Sequence, residues 1–110
     1  MARLNSGFWI QSYLHRLQLA EIPAFVVAKG DPEAGAVLVK LNLLDGTARL
    51  YQRSYDLMAE KRIWMMIEEG EDARIDEQLG RHSRRDPDLW IVEVEDRAGR
   101  SLLDEHGLSE

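Results

Sequence analysis

Two strand-like segments joined by Asp45-Gly46 occupy the middle of this 110-residue chain. Residues 36–43 (AVLVKLNL) are mainly apolar, and polar residues begin to alternate with apolar ones at Lys40. Residues 47–53 form a half-polar segment of strand-forming length. An Asp-Gly pair between two such segments is among the strongest short-range signals of a β-hairpin. The sequence therefore predicts two antiparallel strands here, and the other elements must pack around them.

Three more segments have the composition of strands, namely residues 24–28, 63–67 and 89–95. Residues 100–103 are expected to form a last short strand. The turn at residues 30–35 (GDPEAG) is short, as are the other connections between the first four strands. Because a parallel connection needs a crossover of about a dozen residues or more, these short connections favour antiparallel neighbours.

One amphipathic helix is predicted before the first four strands in the sequence, and a second one is predicted after them. The first covers residues 6–20, with Ser6 as its N-cap, and Pro23 follows its end. The second covers residues 73–85, with Asp72 as its N-cap, and an Asp-Pro pair ends it.

This order predicts an α+β fold with the element order α-β-β-β-β-α-β and an optional last strand. We expect a two-layer sandwich, in which a mainly antiparallel sheet of five or six strands carries both helices on one face. The length fits a single domain over residues 1–110. Residues 1–5 and 106–110 are expected to be flexible.

Composition narrows the classes of function. The chain has no cysteine, which excludes disulfides, thiolate nucleophiles and cysteine metal sites. It carries a net charge of −6, which disfavours nucleic acid as a partner. No apolar segment approaches the roughly 20 residues that span a bilayer, and the first residues do not resemble a signal peptide. We therefore expect a cytoplasmic protein without membrane contact.

Acidic residues are dense in residues 86–96, where a strand end is predicted. Glu93 and Glu95 alternate onto the same strand face, roughly 7 Å apart, which is close enough to share a divalent cation or a water. Pro87-Asp88 followed by these glutamates is similar to a nuclease pattern, but Glu95 stands where that pattern has lysine. The other reading is a strand end that emerges into solvent.

One functional hypothesis is therefore a small metal-assisted hydrolase or nuclease-like enzyme that uses His82 as a base. No serine has the sequence context of a nucleophile. The sequence assigns no metal ligands and no cofactor. The candidate catalytic residues are His82, Asp86, Asp88, Glu93 and Glu95.

Arginines at the end of the second helix form the main basic cluster and are the candidate binding residues: Arg81, Arg84 and Arg85. They are suited to a phosphate, an acidic partner or an RNA backbone. The other reading is that they complement the helix dipole and pair with neighbouring acids. Gly30 and Gly35 have the spacing of a phosphate loop, but Ala36 and Val37 stand where that loop requires Lys and Ser/Thr, so we reject a nucleotide site there.

The segment at residues 63–67 (IWMMI) is apolar on both faces, and Phe8 falls on the polar side of the first helix. A two-layer fold covers one sheet face only, so an apolar surface remains for contact with a second copy or another protein. The favoured hypothesis is a non-catalytic interaction or regulatory module that forms homodimers.

Four segments carry a resemblance to a known family: residues 8–14, 22–27, 30–40 and 85–96. Together they resemble a family of small bacterial proteins that is catalogued only as a domain of unknown function. The block Arg-Asp-Pro-Asp-Leu-Trp at residues 85–90 is the most specific part. The resemblance implies a free-standing bacterial cytoplasmic protein, and it brings no activity, cofactor or catalytic residue.

Overall fold

The computed structural model describes residues 5–109. The elements follow the predicted order, with two helices and five strands in this part of the chain. They are α1 (Ser6–Leu19), β1 (Ala24–Ala28), β2 (Val37–Asn42), β3 (Thr47–Asp56), β4 (Lys61–Glu71), α2 (Asp72–Arg85) and β5 (Trp90–Glu95). The predicted α+β class is confirmed.

The five strands form one sheet in the order β1-β5-β2-β3-β4. The predicted β2–β3 hairpin is confirmed, with Asn42 opposite Ala48 and Gly46 at a φ of 90°, which glycine adopts readily. β3 and β4 are also antiparallel neighbours. Most pairs are therefore antiparallel, as predicted, but β2 and β5 pair in parallel.

The prediction that β1 and β2 are neighbours is wrong, because β5 lies between them. The loop at residues 30–35 does not close a hairpin but packs against the chain that enters β5. Asp31 N donates to Asp88 O at 3.0 Å, and Trp90 Nε1 donates to Asp31 O at 2.7 Å. A Cβ atom on Gly30 or Gly35 would lie 2.1 or 2.3 Å from Asp88 O, so this close approach requires both glycines.

The two helices lie on opposite faces of the sheet. Alternate residues of β2 point to opposite sides, and Val39 packs with Trp9 and Tyr13 of α1, whereas Leu38 packs with Ile75 of α2. The expected two-layer sandwich with both helices on one face is therefore replaced by helix, sheet and helix layers. Because the central strands β2 and β5 are apolar on both faces, each face needs its own cover.

Both helix starts differ by one residue from the predicted positions. Asn5, not Ser6, caps α1, and its Oδ1 accepts from Phe8 N at 2.8 Å. The Ser6 hydroxyl instead donates to Gly35 O at 2.5 Å. α2 begins at Asp72, and Glu71 is its N-cap without a side-chain hydrogen bond. The side chain of Asp72 contacts a buried lysine, which is described below.

Residues 100–103 do not form the expected last strand but continue as an irregular segment over the α1 face. Tyr13 donates its hydroxyl to Ser101 O at 2.8 Å, and Leu108 is 1% exposed within the core. The flexibility expected for residues 106–110 stays a prediction. Residues 1–4 and 110 of the expected flexible ends lie outside the described residues. No helix within residues 5–109 is long and apolar enough to span a membrane.

Candidate functional site

Lys40 places a cation inside the α2 face of the sheet. It follows Leu38 by two residues on β2 and is 1% exposed. Its Nζ lies 2.5 Å from Asp72 Oδ1, 2.7 Å from Asp76 Oδ1 and 3.5 Å from Glu93 Oε1. Asp72 and Asp76 are one helical turn apart on α2, and Glu93 is beside Lys40 on β5. Two elements thus bring three carboxylates to one ammonium group.

The charge of Lys40 is well compensated. Burial lowers the pKa of Lys40, but the hydrogen bonds with Asp72 and Asp76 and the charge of Glu93 raise it more, so the pKa is raised overall. Asn42 Nδ2 donates to the other Glu93 oxygen at 3.2 Å. The ammonium group of Lys40 therefore occupies the position that another cation would take among these carboxylates. The cluster stabilises the packing of α2 on the sheet.

Arg53 is a second cation between the elements, on the α1 face. Its guanidinium carbon lies 4.9 Å from the ring centre of Trp9 and 5.1 Å from that of Trp64. Trp9 belongs to α1, and Trp64 lies opposite Arg53 on β4. The Nε and Nη2 atoms of Arg53 are buried, and neither has a hydrogen-bond partner among residues 5–109. Cation–π attraction supports this position, but no carboxylate in the described part of the chain forms an ion pair with Arg53.

Burial and the nearby charge of Arg62 lower the pKa of Arg53 to about 10. Desolvation is the larger of these two causes, because a cation loses part of its hydration when it packs against indole rings. The direction is opposite to that of Lys40. Arg53 is thus a cation in a surrounding that disfavours its charge.

A groove of about 1000 Å³ opens beside Arg53 at the end of the sheet where β2 and β5 begin. α1 contributes its first residues, α2 its last turn, and β3 and β4 the residues next to their connecting loop. The charged and polar side chains that line the groove are Asn5, Ser6, Glu33, Gln52, Arg53, Ser54, Arg62, His82, Arg85 and Asp86. Val37, Leu38 and Leu89 supply apolar lining. We refer to this site as the Arg53 groove.

The Arg53 groove brings together some of the residues that the sequence singled out. His82, Arg85 and Asp86 all line it. The other two arginines of the predicted binding cluster, Arg81 and Arg84, are exposed and do not line it. The predicted basic cluster is therefore divided, and one of its members faces a cavity.

The predicted acidic residues do not converge at one place. Glu93 contacts Lys40, as described above, whereas Asp86 lines the groove and its Oδ1 accepts from Asp88 N at 3.0 Å. Glu95 lies at the end of β5, where its backbone N donates to Pro23 O. Within residues 5–109, no three His, Asp or Glu side chains form a set that would hold a metal ion.

Sequence reasoning missed Arg53, Arg62, Lys40, Asp72 and Asp76 as members of charged sites. A lysine inside an apolar strand, together with two acids four residues apart on a helix, is the signal that identifies the Lys40 cluster. No local signal identifies Arg53, because its two tryptophans come from distant positions.

Comparison with known proteins assigns the chain to a family. A model described as a protein of unknown function, DUF1491, matches residues 4–104. The chain belongs to the DUF1491 family. The predicted resemblance to a family of unknown function is thus confirmed, and the DUF1491 description names no activity. A search among curated proteins gives no significant match.

Three solved structures share the fold, and two of them are described as DUF1491 family proteins. The crystal structure of a family member from Caulobacter crescentus CB15 is 38% identical, with a TM-score of 0.84, and the match covers 94% of this chain and 97% of that chain. An NMR structure of a family member from the same organism is 37% identical, with a TM-score of 0.80 and 96% coverage of both chains. The solution structure of a protein from A. tumefaciens is 31% identical, with a TM-score of 0.72 and 86% coverage of both.

Proposed function

We propose that this member of the DUF1491 family is a non-catalytic interaction module of the cytoplasm that forms homodimers through the edge strand β4. Two copies of β4 would pair antiparallel about a two-fold axis and extend the sheet across both chains. The observation that carries this proposal is the exposed apolar centre of β4 between ends of opposite charge.

β4 is an edge strand, because β3 is its only neighbour in the sheet among residues 5–109. Three consecutive apolar side chains at its centre are exposed: Met65 by 46%, Met66 by 50% and Ile67 by 41%. This agrees with the apolar surplus that the sequence indicated at residues 63–67. An edge strand with exposed apolar residues is a template for pairing with another chain.

The charges of β4 favour a second copy as the occupant of this edge. The strand begins with Lys61 and ends with Glu69 and Glu71, and all three are exposed. A two-fold axis near Met65 and Met66 brings Lys61 of each copy beside the acidic end of the other. At about 3.3 Å per residue, these charges lie on the order of 15 Å from the axis on either side, so both ends of the pair are complementary.

β1, the other edge, lacks this pattern. It has five residues against eleven in β4, and it begins directly after Pro23. Phe25, Val26 and Val27 are exposed, but an antiparallel pair of β1 strands would place Lys29 beside a proline rather than an acid. The comparison favours β4 over β1 for self-association.

The enzyme alternative has less support. A metal-assisted hydrolase with His82 as a base requires the acids of residues 86–96 to gather near it. Asp86 lines the same groove as His82, but Glu93 is engaged with Lys40 on the α2 face. The candidate catalytic residues thus lie in two separate surroundings.

Sedimentation equilibrium over a wide range of protein concentrations tests the proposal. We expect the wild-type chain to form a dimer, and Met66→Lys to be monomeric at the same concentrations. Met58→Lys is the matched control, because Met58 is 95% exposed and lies in the turn between β3 and β4 rather than on the edge. It should dimerise like the wild type.

Charge reversal gives a sharper test. Lys61→Glu should weaken the dimer, and the double variant Lys61→Glu with Glu71→Lys should restore much of it, because positions 61 and 71 attract again while Glu69 stays paired with Arg49. A wild-type chain that stays monomeric at every concentration would overturn the proposal. So would a dimer that survives Met66→Lys, or one that is lost in Val26→Lys instead.

A further inference from the structure

The Arg53 groove contains a cation whose charge the described part of the protein leaves uncompensated. Arg53 forms no ion pair within residues 5–109, and its buried Nε and Nη2 atoms have no acceptor. A buried donor without a partner is costly and rare in native proteins, so an acceptor from outside the chain, either a water or a bound anion, would complete the site. The Trp9 and Trp64 rings hold the guanidinium group in place but supply no hydrogen-bond acceptor.

The other lining residues make the groove locally positive. Arg62 is close enough to Arg53 to lower its pKa, so two guanidinium groups stand near one another. Arg85 adds a third, against the carboxylates of Glu33 and Asp86. Three arginines against two acids leave a positive balance, within a chain whose net charge is −6. One oxygen of Asp86 already accepts a backbone hydrogen bond from Asp88.

Side chains, not the backbone of α1, must supply the recognition. The first amide groups of α1 are already used, since Gly7 N donates to Pro32 O at 2.7 Å and Phe8 N donates to Asn5 Oδ1 at 2.8 Å. The α1 N-terminus therefore has no free amides to offer an anion. The arginines remain as donors, and guanidinium groups match phosphate oxygens in pairs.

We propose that the Arg53 groove binds a small phosphomonoester, with the phosphate held by Arg53 and Arg85 and the organic part against Val37, Leu38 and Leu89. A phosphate dianion supplies more than one negative charge to the clustered guanidinium groups, and the apolar lining suits a carbon skeleton. The volume of about 1000 Å³ is that of a small-molecule site. The overall charge of −6 opposes a long polyanion such as RNA.

NMR titration of the full-length protein tests this assignment. The probes are inorganic phosphate, adenosine 5′-monophosphate and, as the uncharged counterpart, adenosine. We expect amide shifts in residues 33–38, 52–54 and 82–86 with phosphate and with the nucleotide, and none with adenosine. Calorimetry then gives the affinity of the nucleotide for each variant.

Two variants and one control separate binding from folding. Arg53→Met should weaken nucleotide binding by about tenfold or more, because a charge-assisted hydrogen bond is lost. Arg85→Met, at an exposed position that does not support the core, should weaken it by several-fold. Arg81→Met is the matched control, since Arg81 is on the same helix but outside the groove, and its affinity should equal that of the wild type.

Several results would overturn the assignment. These are the absence of shifts with both phosphate probes, equal affinity of wild type and Arg85→Met, or tighter binding of adenosine than of its monophosphate. Binding of a single-stranded RNA oligonucleotide much more tightly than of the mononucleotide would replace a small-molecule site with an RNA surface. Each result is independent of whether the protein dimerises through β4.

Discussion

Lys40 and Arg53 are cations of similar length on opposite faces of one sheet, yet their surroundings differ completely. Lys40 has three carboxylate neighbours, and its pKa is raised overall because those acids outweigh the effect of burial. Arg53 lies against two indole rings and pairs with no acid among residues 5–109, and burial together with Arg62 lowers its pKa to about 10. The described residues thus compensate the charge of Lys40 with carboxylates but leave Arg53 without a carboxylate partner. Whether such a cation has a structural role or a binding role therefore depends on the counter-charges around it.

The largest effect is expected when Lys40 is replaced. Lys40→Ala removes the shared partner of Asp72, Asp76 and Glu93 and leaves their charges close together. Breaking a buried ion pair from one side costs about 3 to 5 kcal/mol, and we expect the lower end because Asp72 and Asp76 keep contact with water. Urea unfolding followed by circular dichroism measures this loss.

Arg16→Ala is the control for Lys40→Ala, because Arg16 forms an exposed pair with Glu105 at 3.5 Å. Exposed pairs contribute about 0 to 1 kcal/mol. If the free energy of unfolding falls by the same small amount in both variants, Lys40 does not stabilise the packing of α2 on the sheet.

The second effect concerns alkaline pH, where the two cations should behave in opposite ways. The raised pKa of Lys40 means that its contribution is fully present below the unfolded value of 10.5 and is lost as pH rises through the folded value. The lowered pKa of Arg53 means that its charged form disfavours folding below about pH 10, and that this penalty falls as the pH rises above about 10. One proton bound in only one state changes the free energy of unfolding by about 1.4 kcal/mol per pH unit.

Differences between wild type and each variant isolate these slopes. Burial raises the pKa of Tyr13 too, so the whole protein loses stability at alkaline pH, but this cancels when a variant is subtracted. From pH 9 to 11, the wild type should gain stability relative to Arg53→Met. Relative to Lys40→Met, the wild type should gain no stability over this range, and it should lose stability as the pH approaches 11. Slopes of the same sign for both variants would contradict the comparison.

A smaller effect is expected for Asp76→Asn. Asp76 lies 2.7 Å from Lys40 Nζ, but its side chain is 56% exposed, and Asp72 and Glu93 remain. We expect a loss of up to about 1 kcal/mol in the free energy of unfolding. A loss as large as that of Lys40→Ala would mean that the three acids do not share the charge of the lysine.

The smallest effect on stability is expected for Arg53→Met. Loss of cation–π attraction to two indole rings is offset by relief of an uncompensated buried charge, so the change should stay below about 1 kcal/mol in either direction. The same urea experiment measures it. A loss comparable to that of Lys40→Ala would show that Arg53 is a structural cation like Lys40, and the comparison would fail.

Local patterns predicted the elements of this fold, but not how they are joined in space. The β2–β3 hairpin follows from Asp45-Gly46, because a two-strand turn is specified by neighbouring residues. The insertion of β5 between β1 and β2 depends on how Gly30 and Gly35 approach Asp88, some 50 residues away along the chain. Gly30 and Gly35 were interpreted as turn residues, but the structure requires glycine there because the backbone of Asp88 approaches closely.

The candidate site was predicted only where local sequence signals indicated its residues. His82, Asp86 and Arg85 were identified from local density of charge, and all three line the Arg53 groove. Arg53 itself appeared as an ordinary polar residue of a strand. Its special surroundings come from Trp9 and Trp64, and no spacing along the sequence relates these three residues.

The parallel pairing of β2 with β5 has a consequence for how the molecule assembles. β1 precedes the other strands in the sequence, but its strand partner within residues 5–109 is β5, and Ala24 must wait for Val94 before it can join the sheet. On the ribosome, β2, β3 and β4 can associate as their residues emerge, while the exposed Phe25-Val26-Val27 segment stays unpaired until β5 has emerged. Non-local pairings of this kind slow folding and leave apolar strands open to wrong partners. The strand that closes the sheet, β5, is therefore the one that emerges after β1, β2, β3 and β4.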